Sequence, residues 1–177
     1  YHNYFFSNVI KIKIIYICIY NSCIGMNVEE IIKVKKPLRV ETKTILHLIL
    51  VNQRISELAT EALKPFDVSM PQFNVLRILK GQNGNAANLS TLNERMVSKM
   101  SNTTRLVQKL IIKGYVKRNI CESNKRKIEL FITDKGLKDL EKMSAKMAKT
   151  EEKLLKGLSV SDMSELNRLL NKLNTNN

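Results

Sequence analysis

LNERMVSKMSNTTRLVQKLIIKGYVKR, residues Leu92–Arg118, is the stretch on which the fold turns. A short helix from about Ser90 or Thr91 to Met96 carries Leu92 and Met96 inward. A second runs from about Lys99 to Lys113, with Ser98 as its N-cap. Thr103, Leu106, Val107 and Leu110 recur at helical spacing and predict its buried stripe. Gly114 supplies the permissive residue that stops it. The faces left over hold Ser101, Asn102, Thr104, Arg105, Gln108 and Lys109, a polar and basic surface of the kind that reads a DNA groove.

Two strands are predicted next, Tyr115 to Ile120 and Lys127 to Ile132, the second alternating Ile128, Leu130 and Ile132. Cys121 to Arg126 is expected to form a polar tip too long for the tightest hairpin turns. Helix, glycine, strand and basic hairpin in that order are the layout of a winged helix-turn-helix. From Lys99 to Lys127 the basic residues are Lys99, Arg105, Lys109, Lys113, Lys117, Arg118, Lys125, Arg126 and Lys127, against the single acid Glu122. Such a cluster either neutralises phosphates or is a solvated basic face. Its concentration on one helix and one hairpin favours the first. The whole chain, 177 residues with a formal charge of +14, attracts polyanions, so nucleic acid and an anionic membrane surface are the candidate partners.

Upstream, apolar residues from Ile45 to Leu63 recur through a helix predicted over Thr44 to Lys64 and widen beyond one face, as in a helix buried centrally or shared with a partner chain. Pro65 interrupts it. Ser69-Met70-Pro71-Gln72 has the form of a capping box opening a helix that carries Phe73, Leu76, Ile78 and Leu79 to about Gln82. Gly81 to Asn85 reads as a loop. Downstream, Thr133 caps a long helix lined by Leu137, Leu140, Met143, Met147, Leu154, Leu155 and Leu158. Ser159 to Asp162 starts a terminal helix with Met163, Leu166, Leu169, Leu170 and Leu173. The expected fold is mainly α with a small β-wing: a winged helix-turn-helix plus N- and C-terminal dimerisation helices. Its divisions are an extension at 1–25, an N-terminal segment and dimerisation helix at 26–64, the DNA-binding domain at 65–133 and C-terminal dimerisation helices at 134–177.

The first 25 residues stand apart. Val9 to Tyr20 contains Lys11 and Lys13, so its uncharged apolar run falls short of the roughly 20 residues a bilayer needs. Asn21 to Gly25 makes a weak cleavage site for a signal peptide. A β-prone or disordered extension and a stretch translated ahead of a true start at Met26 both remain open, the second preferred. Cys18, Cys23 and Cys121 have no metal-ligand spacing, and the odd count argues against a disulfide framework. His2 and His47 form no pair. No phosphate-binding glycine loop, nucleophile elbow or Cys-x-x-Cys is present. The expectation is a cytoplasmic protein that is no enzyme, with no metal, no cofactor and no membrane.

With these elements placed, the chain from about Met26 to Asn174 resembles the MarR (multiple antibiotic resistance regulator) family of homodimeric winged helix-turn-helix regulators. The resemblance is carried by Leu92-x-Glu94-Arg95-Met96, then Ser101-x-x-Thr104-Arg105-Leu106-Val107-x-Lys109-Leu110-x-x-Lys113-Gly114-Tyr115-Val116-x-Arg118, then Arg126 and Ile132-Thr133-Asp134-Lys135-Gly136, with Gln72-Phe73-x-Val75-Leu76-x-x-Leu79 ahead of them. It implies that the helix from Lys99 enters the major groove, where Ser101, Asn102, Thr104 and Arg105 reach bases or flanking phosphates, with Gln108 and Lys109 beside them. Arg126, helped by Lys125, would lie in or along the adjacent minor groove. The family's wing usually carries Asp-x-Arg; here Asn124 stands at the Asp position, which weakens any charge-assisted brace of the wing.

Each assignment has a structural alternative. Ser101 and Thr104 could only cap or decorate the helix, Arg105 could brace a neighbouring helix, and Met143, Met147 and Met163 read as core packing rather than a ligand lining. The resemblance also implies a small aromatic effector in a cleft bordered by the Ile45 to Leu63 helix, the Phe73 to Leu79 helix and the start of the Leu137 helix. Cys121 reads as structural ahead of a thiol sensor. The sequence therefore points to a homodimeric, sequence-specific double-stranded DNA-binding transcriptional regulator, a ligand-responsive repressor on a pseudo-palindromic operator. A winged-helix protein-protein adaptor and a non-specific nucleic-acid-binding protein are the alternatives.

Overall fold

Side-chain caps set most of the helix starts. The computed structural model describes residues 27–96, 102–121 and 124–173, and at 121 and 124–127 the backbone alone. The chain divides into two compact units, one up to Arg54 and one from Ile55. In the first, helix α1 (Val28–Ile31) is capped by Asn27, whose carboxamide accepts the Glu29 N–H at 3.1 Å. Lys43 pairs with Glu29 at 2.9 Å. Helix α2 (Val40–Leu63) starts about a turn before Thr44, where the apolar pattern places it, and α1 has no counterpart among the predicted elements. Within this unit Val40, Ile45 and Ile49 are more than half exposed, at 74%, 56% and 55%.

The second unit is built around helix α3 (Met70–Lys80), against which α4 (Leu89–Arg95), α5 (Thr103–Ile112), the hairpin and α6 (Asp134–Leu155) all pack. The capping box at its start forms as the sequence predicts: Ser69 Oγ accepts from the Gln72 N–H, and Gln72 Oε1 accepts from the Ser69 N–H at 2.9 Å. Phe73, Val75, Leu76 and Leu79 are buried with Leu92, Met96, Val107, Leu110, Leu130, Leu140 and Met143. Removing each such side chain from water is worth about 1.5–3 kcal/mol. Met143 and Met147 belong to this core, as predicted.

Strand β1 (Val116–Cys121) pairs antiparallel with β2 (Asn124–Ile132). The pairing corrects the predicted wing. Cys121 and Asn124 are themselves partners across a register irregularity after Ile120, so the ladder runs farther out than the sequence pattern indicates. Lys125 and Arg126 consequently lie on strand β2 rather than in an irregular tip. Ala87 adds a short third rung, exchanging backbone hydrogen bonds with Leu130 at 3.0 and 2.8 Å. Helix α6 is capped by Thr133, and α7 (Val160–Leu173) by Ser159, which exchanges hydrogen bonds with Asp162. Among the described residues, no helix is long and apolar enough to cross a membrane.

Candidate nucleic-acid interface

The basic face rests on α5, and its first turn differs from expectation. The helix begins at Thr103, not near Lys99, because Asn102 has non-helical backbone angles and its carboxamide accepts the Arg105 N–H at 3.1 Å. Asn is as strong an N-cap as Ser. Ser98, Lys99 and Ser101 lie outside the described residues. Thr103, Val107 and Leu110 turn inward as predicted. Thr104, Arg105, Gln108 and Lys109 are exposed on the opposite side, with exposed Asn102 at the helix entry. Thr103 also donates its hydroxyl to the Asn93 carboxamide, tying α5 to the preceding helix α4.

The exit of α5 is held more tightly still. Gly114 adopts φ 72, the left-handed conformation that glycine reaches without a Cβ clash. There the Tyr115 N–H returns to the Leu110 carbonyl at 2.9 Å and the Gly114 N–H to the Ile111 carbonyl at 2.8 Å. These bonds close a Schellman turn. The Lys113 ammonium pairs with Asp67 Oδ2 at 2.5 Å and also donates to the Asp67 carbonyl. The hydrogen bond from Lys113 and its charge hold the Asp67 carboxyl below its ordinary value. Burial, followed by the neighbouring Asp139, pushes the Tyr115 phenol up.

The hairpin extends the cationic surface. Lys117 and Arg118 are exposed on β1, with the Lys117 ammonium 5.5 Å from the centre of the Phe131 ring. Lys125 and Arg126 have their backbone on β2, while their side chains lie outside the description. Of the candidate contact residues, the structure thus brings Thr104, Arg105, Gln108 and Lys109 onto one helix, with Asn102 as its N-cap. Sequence reasoning missed the Asn93–Thr103 contact and the part played by Lys135, whose ammonium donates to the Lys113 carbonyl at 2.8 Å. The Thr-Asp-Lys-Gly stretch after the hairpin was the available signal.

A groove of about 530 Å³ borders α5 on the side of the Lys64 to Gln72 turn, lined by Thr60, Lys64, Asp67, Gln72, Leu106, Lys109 and Lys113 among others. The expected cleft runs instead to the start of the Leu137 helix. No residue of that start lines this groove, which takes Thr60 and Gln72 from the other two helices.

A helix-turn-helix followed by a two-stranded basic hairpin defines the class: a winged helix-turn-helix. Residues 68–128 match the MarR family model. The HTH-type transcriptional repressor IacR of Pseudomonas putida is 28% identical over 120 residues, covering 68% of this chain and 71% of its own. A mutant MarR of E. coli complexed with operator DNA shares the fold at a TM-score of 0.65 and 23% identity, over 85% of this chain and 99% of that one. Bordetella bronchiseptica BpsR, whose DNA binding is regulated by 6-hydroxynicotinic acid, gives a TM-score of 0.68 at 17% identity, over 80% and 100%.

Proposed function

We propose that this chain is a sequence-specific double-stranded DNA-binding transcriptional regulator, a cytoplasmic homodimer that acts as a repressor. One observation carries the reading: the exposed Thr104, Arg105, Gln108 and Lys109 oppose the buried Thr103, Val107 and Leu110 on a single helix. Arg can fork to guanine, and Asn102 can still offer its amide hydrogens while its oxygen caps the helix. Residues 65–133 would bind DNA and the segments 26–64 and 134–177 would dimerise. Half-sites about one helical turn apart follow from that symmetry. IacR's being a repressor and the operator complex of MarR support the same direction.

The response to a small aromatic effector belongs to this proposal. The groove beside α5 has the size of ligand sites, which run from about 300 to 1,000 Å³. Lys64 and Lys109 would favour an anionic group on such a ligand, the Lys113 ammonium being paired with Asp67 on the same wall.

The test is selection of duplexes from a random-sequence library at physiological salt, followed by titration of wild type, Arg105→Ala and Arg126→Ala. A pseudo-palindrome emerges, and Arg105→Ala weakens its binding by about 1–3 kcal/mol. Equal binding to all duplexes would mean non-specific packaging. No binding would favour a protein-protein adaptor.

A further inference from the structure

We infer that the first turn of α6 fixes the pose of α5 on DNA, with Lys135 as a positioning residue; the inference rests on the DNA-binding reading above. Three consecutive carbonyls leave the end of α5, and each receives a donor from the segment that opens α6. The Lys113 carbonyl accepts from the Lys135 ammonium at 2.8 Å, that of Gly114 from the Thr133 hydroxyl at 2.7 Å, and that of Tyr115 from the Thr133 N–H at 3.0 Å. The Thr133 oxygen accepts in turn from the Gly136 N–H at 3.0 Å, so one side chain caps α6 and holds the exit of α5. The Lys135 ammonium also lies 5.1 Å from the centre of the Tyr115 ring.

Close approach makes the joint stiff. A Cβ placed on Gly136 would meet the Tyr115 carbonyl oxygen at 2.3 Å and Ile132 Cγ1 at 2.9 Å, and the nearer of these is backbone that cannot swing aside. Glycine is required at 136 for contact, not for a special φ. A cation at the carbonyl end of a helix is also favoured by the helix dipole.

Leverage turns this joint into a determinant of DNA binding. Ten residues of helix span about 15 Å, so a tilt of about 10° at the exit moves the entry by about 2.6 Å. Hydrogen bonds to base edges tolerate only a few tenths of an ångström. Lys135 therefore acts on sequence reading through α5 without touching a base.

The experiment compares wild type, Lys135→Met, Lys135→Arg and Gly136→Ala on two probes: the duplex selected by wild type and an unselected duplex of equal length. Both are titrated between about 50 and 200 mM salt. Lys135→Met lowers affinity for the selected duplex by about tenfold, in line with loss of a charge-assisted hydrogen bond. Its affinity for the unselected duplex and its salt slope stay as in wild type, and Lys135→Arg recovers most of the loss. Gly136→Ala lowers the preference further; if it does not fold, the Lys135 pair still decides. Undiminished preference in Lys135→Met overturns the inference. So does a loss that is equal on both duplexes with a salt slope shallower by about one, because that is the signature of a phosphate contact. Amide exchange in the DNA-free protein separates this failure from failure of the DNA reading. Faster exchange at Gly114 and Tyr115 in Lys135→Met supports the clamp, and unchanged exchange overturns it whatever the duplexes show. Wild type without any duplex preference overturns the DNA reading and the positioning role together.

Discussion

Helices α5 and α7 are both amphipathic, yet the chain treats their apolar sides in opposite ways. In α5 the apolar side is covered by the rest of the second unit: Leu110 is 0% exposed and Val107 4%. What remains outside is polar and basic, apart from Ile112 at the last turn, which is 76% exposed. In α7 the leucines are the outer surface, with Leu166 at 42%, Leu169 at 46%, Leu170 at 38% and Leu173 at 56%. The polar contacts of α7 stay within the helix and its cap, as between Arg168 and Glu165 or Ser159 and Asp162. An amphipathic pattern thus encodes a requirement for a partner, and whether that partner is the same chain is a separate matter. Within this unit the pattern is satisfied for α5, while the exposed leucines of α7 fit the proposed homodimer.

The largest effect separates the two helices directly. Leu110→Ala removes a fully buried side chain and is expected to cost about 2–5 kcal/mol. Denaturant unfolding should show this loss at every protein concentration tested. A loss under about 1 kcal/mol would mean that α5 is far less well packed than its burial indicates.

Next in size is the corresponding change in α7. The double variant Leu166→Asp with Leu170→Asp places two charges on the exposed apolar side. Under the homodimer proposal it converts a particle of twice 20.3 kDa into one of 20.3 kDa in sedimentation at micromolar concentration, while the far-ultraviolet spectrum of the second unit persists. Burying charges unpaired in an interface costs enough to lower affinity at least 100-fold. Unchanged mass in the variant would remove α7 from the dimer contact, and a wild type that sediments as a monomer would remove the dimer itself.

The comparison also explains what the sequence disclosed. The Ser69 and Thr133 caps were legible because each is closed within three or four residues. So was the burial stripe of α5, which depends on spacing alone. The start of α5 was not, since Ser98 and Asn102 satisfy the same local rule and the choice between them is made by the fold. The wing ladder extends through Asn124, Lys125 and Arg126, residues poor in strand propensity that composition assigns to a turn. The Ala87–Leu130 rung and the Lys135–Lys113 contact join residues distant in sequence and leave no periodic trace. Likewise the groove beside α5 joins Thr60 and Lys113, which are distant in sequence.

Asn102 sharpens the comparison at intermediate size, because it stands both at the cap of α5 and on its exposed side. Asn102→Ala is expected to destabilise by about 0.5–2 kcal/mol through loss of the cap. Asn102→Asp keeps an oxygen acceptor for the Arg105 N–H and should leave stability nearly unchanged, but it removes the amide donor and adds a negative charge at the proposed DNA surface. Thermal unfolding and duplex titration of the pair divide the two roles. Equal affinity of wild type and Asn102→Asp for the selected duplex would restrict Asn102 to capping.

The smallest effect lies in the ion pair that ties α5 to the turn before α3. Asp67 titrates below its ordinary value of 3.8 because Lys113 donates a hydrogen bond to it and lies close in charge. A carboxylate with a lowered folded value stabilises the native state above 3.8, and that contribution disappears as pH falls through the lower folded value. Asp67 is 97% exposed, so solvent and salt screen the pair and the effect is modest. Wild type should therefore exceed Asp67→Asn in stability slightly at neutral pH, and the two should converge in acid, with the gap narrowing in high salt. Parallel curves down to the acid transition would show that the carboxylate contributes nothing through its charge. The hold on the exit of α5 would then rest on the carbonyl contacts made by Lys135 and Thr133.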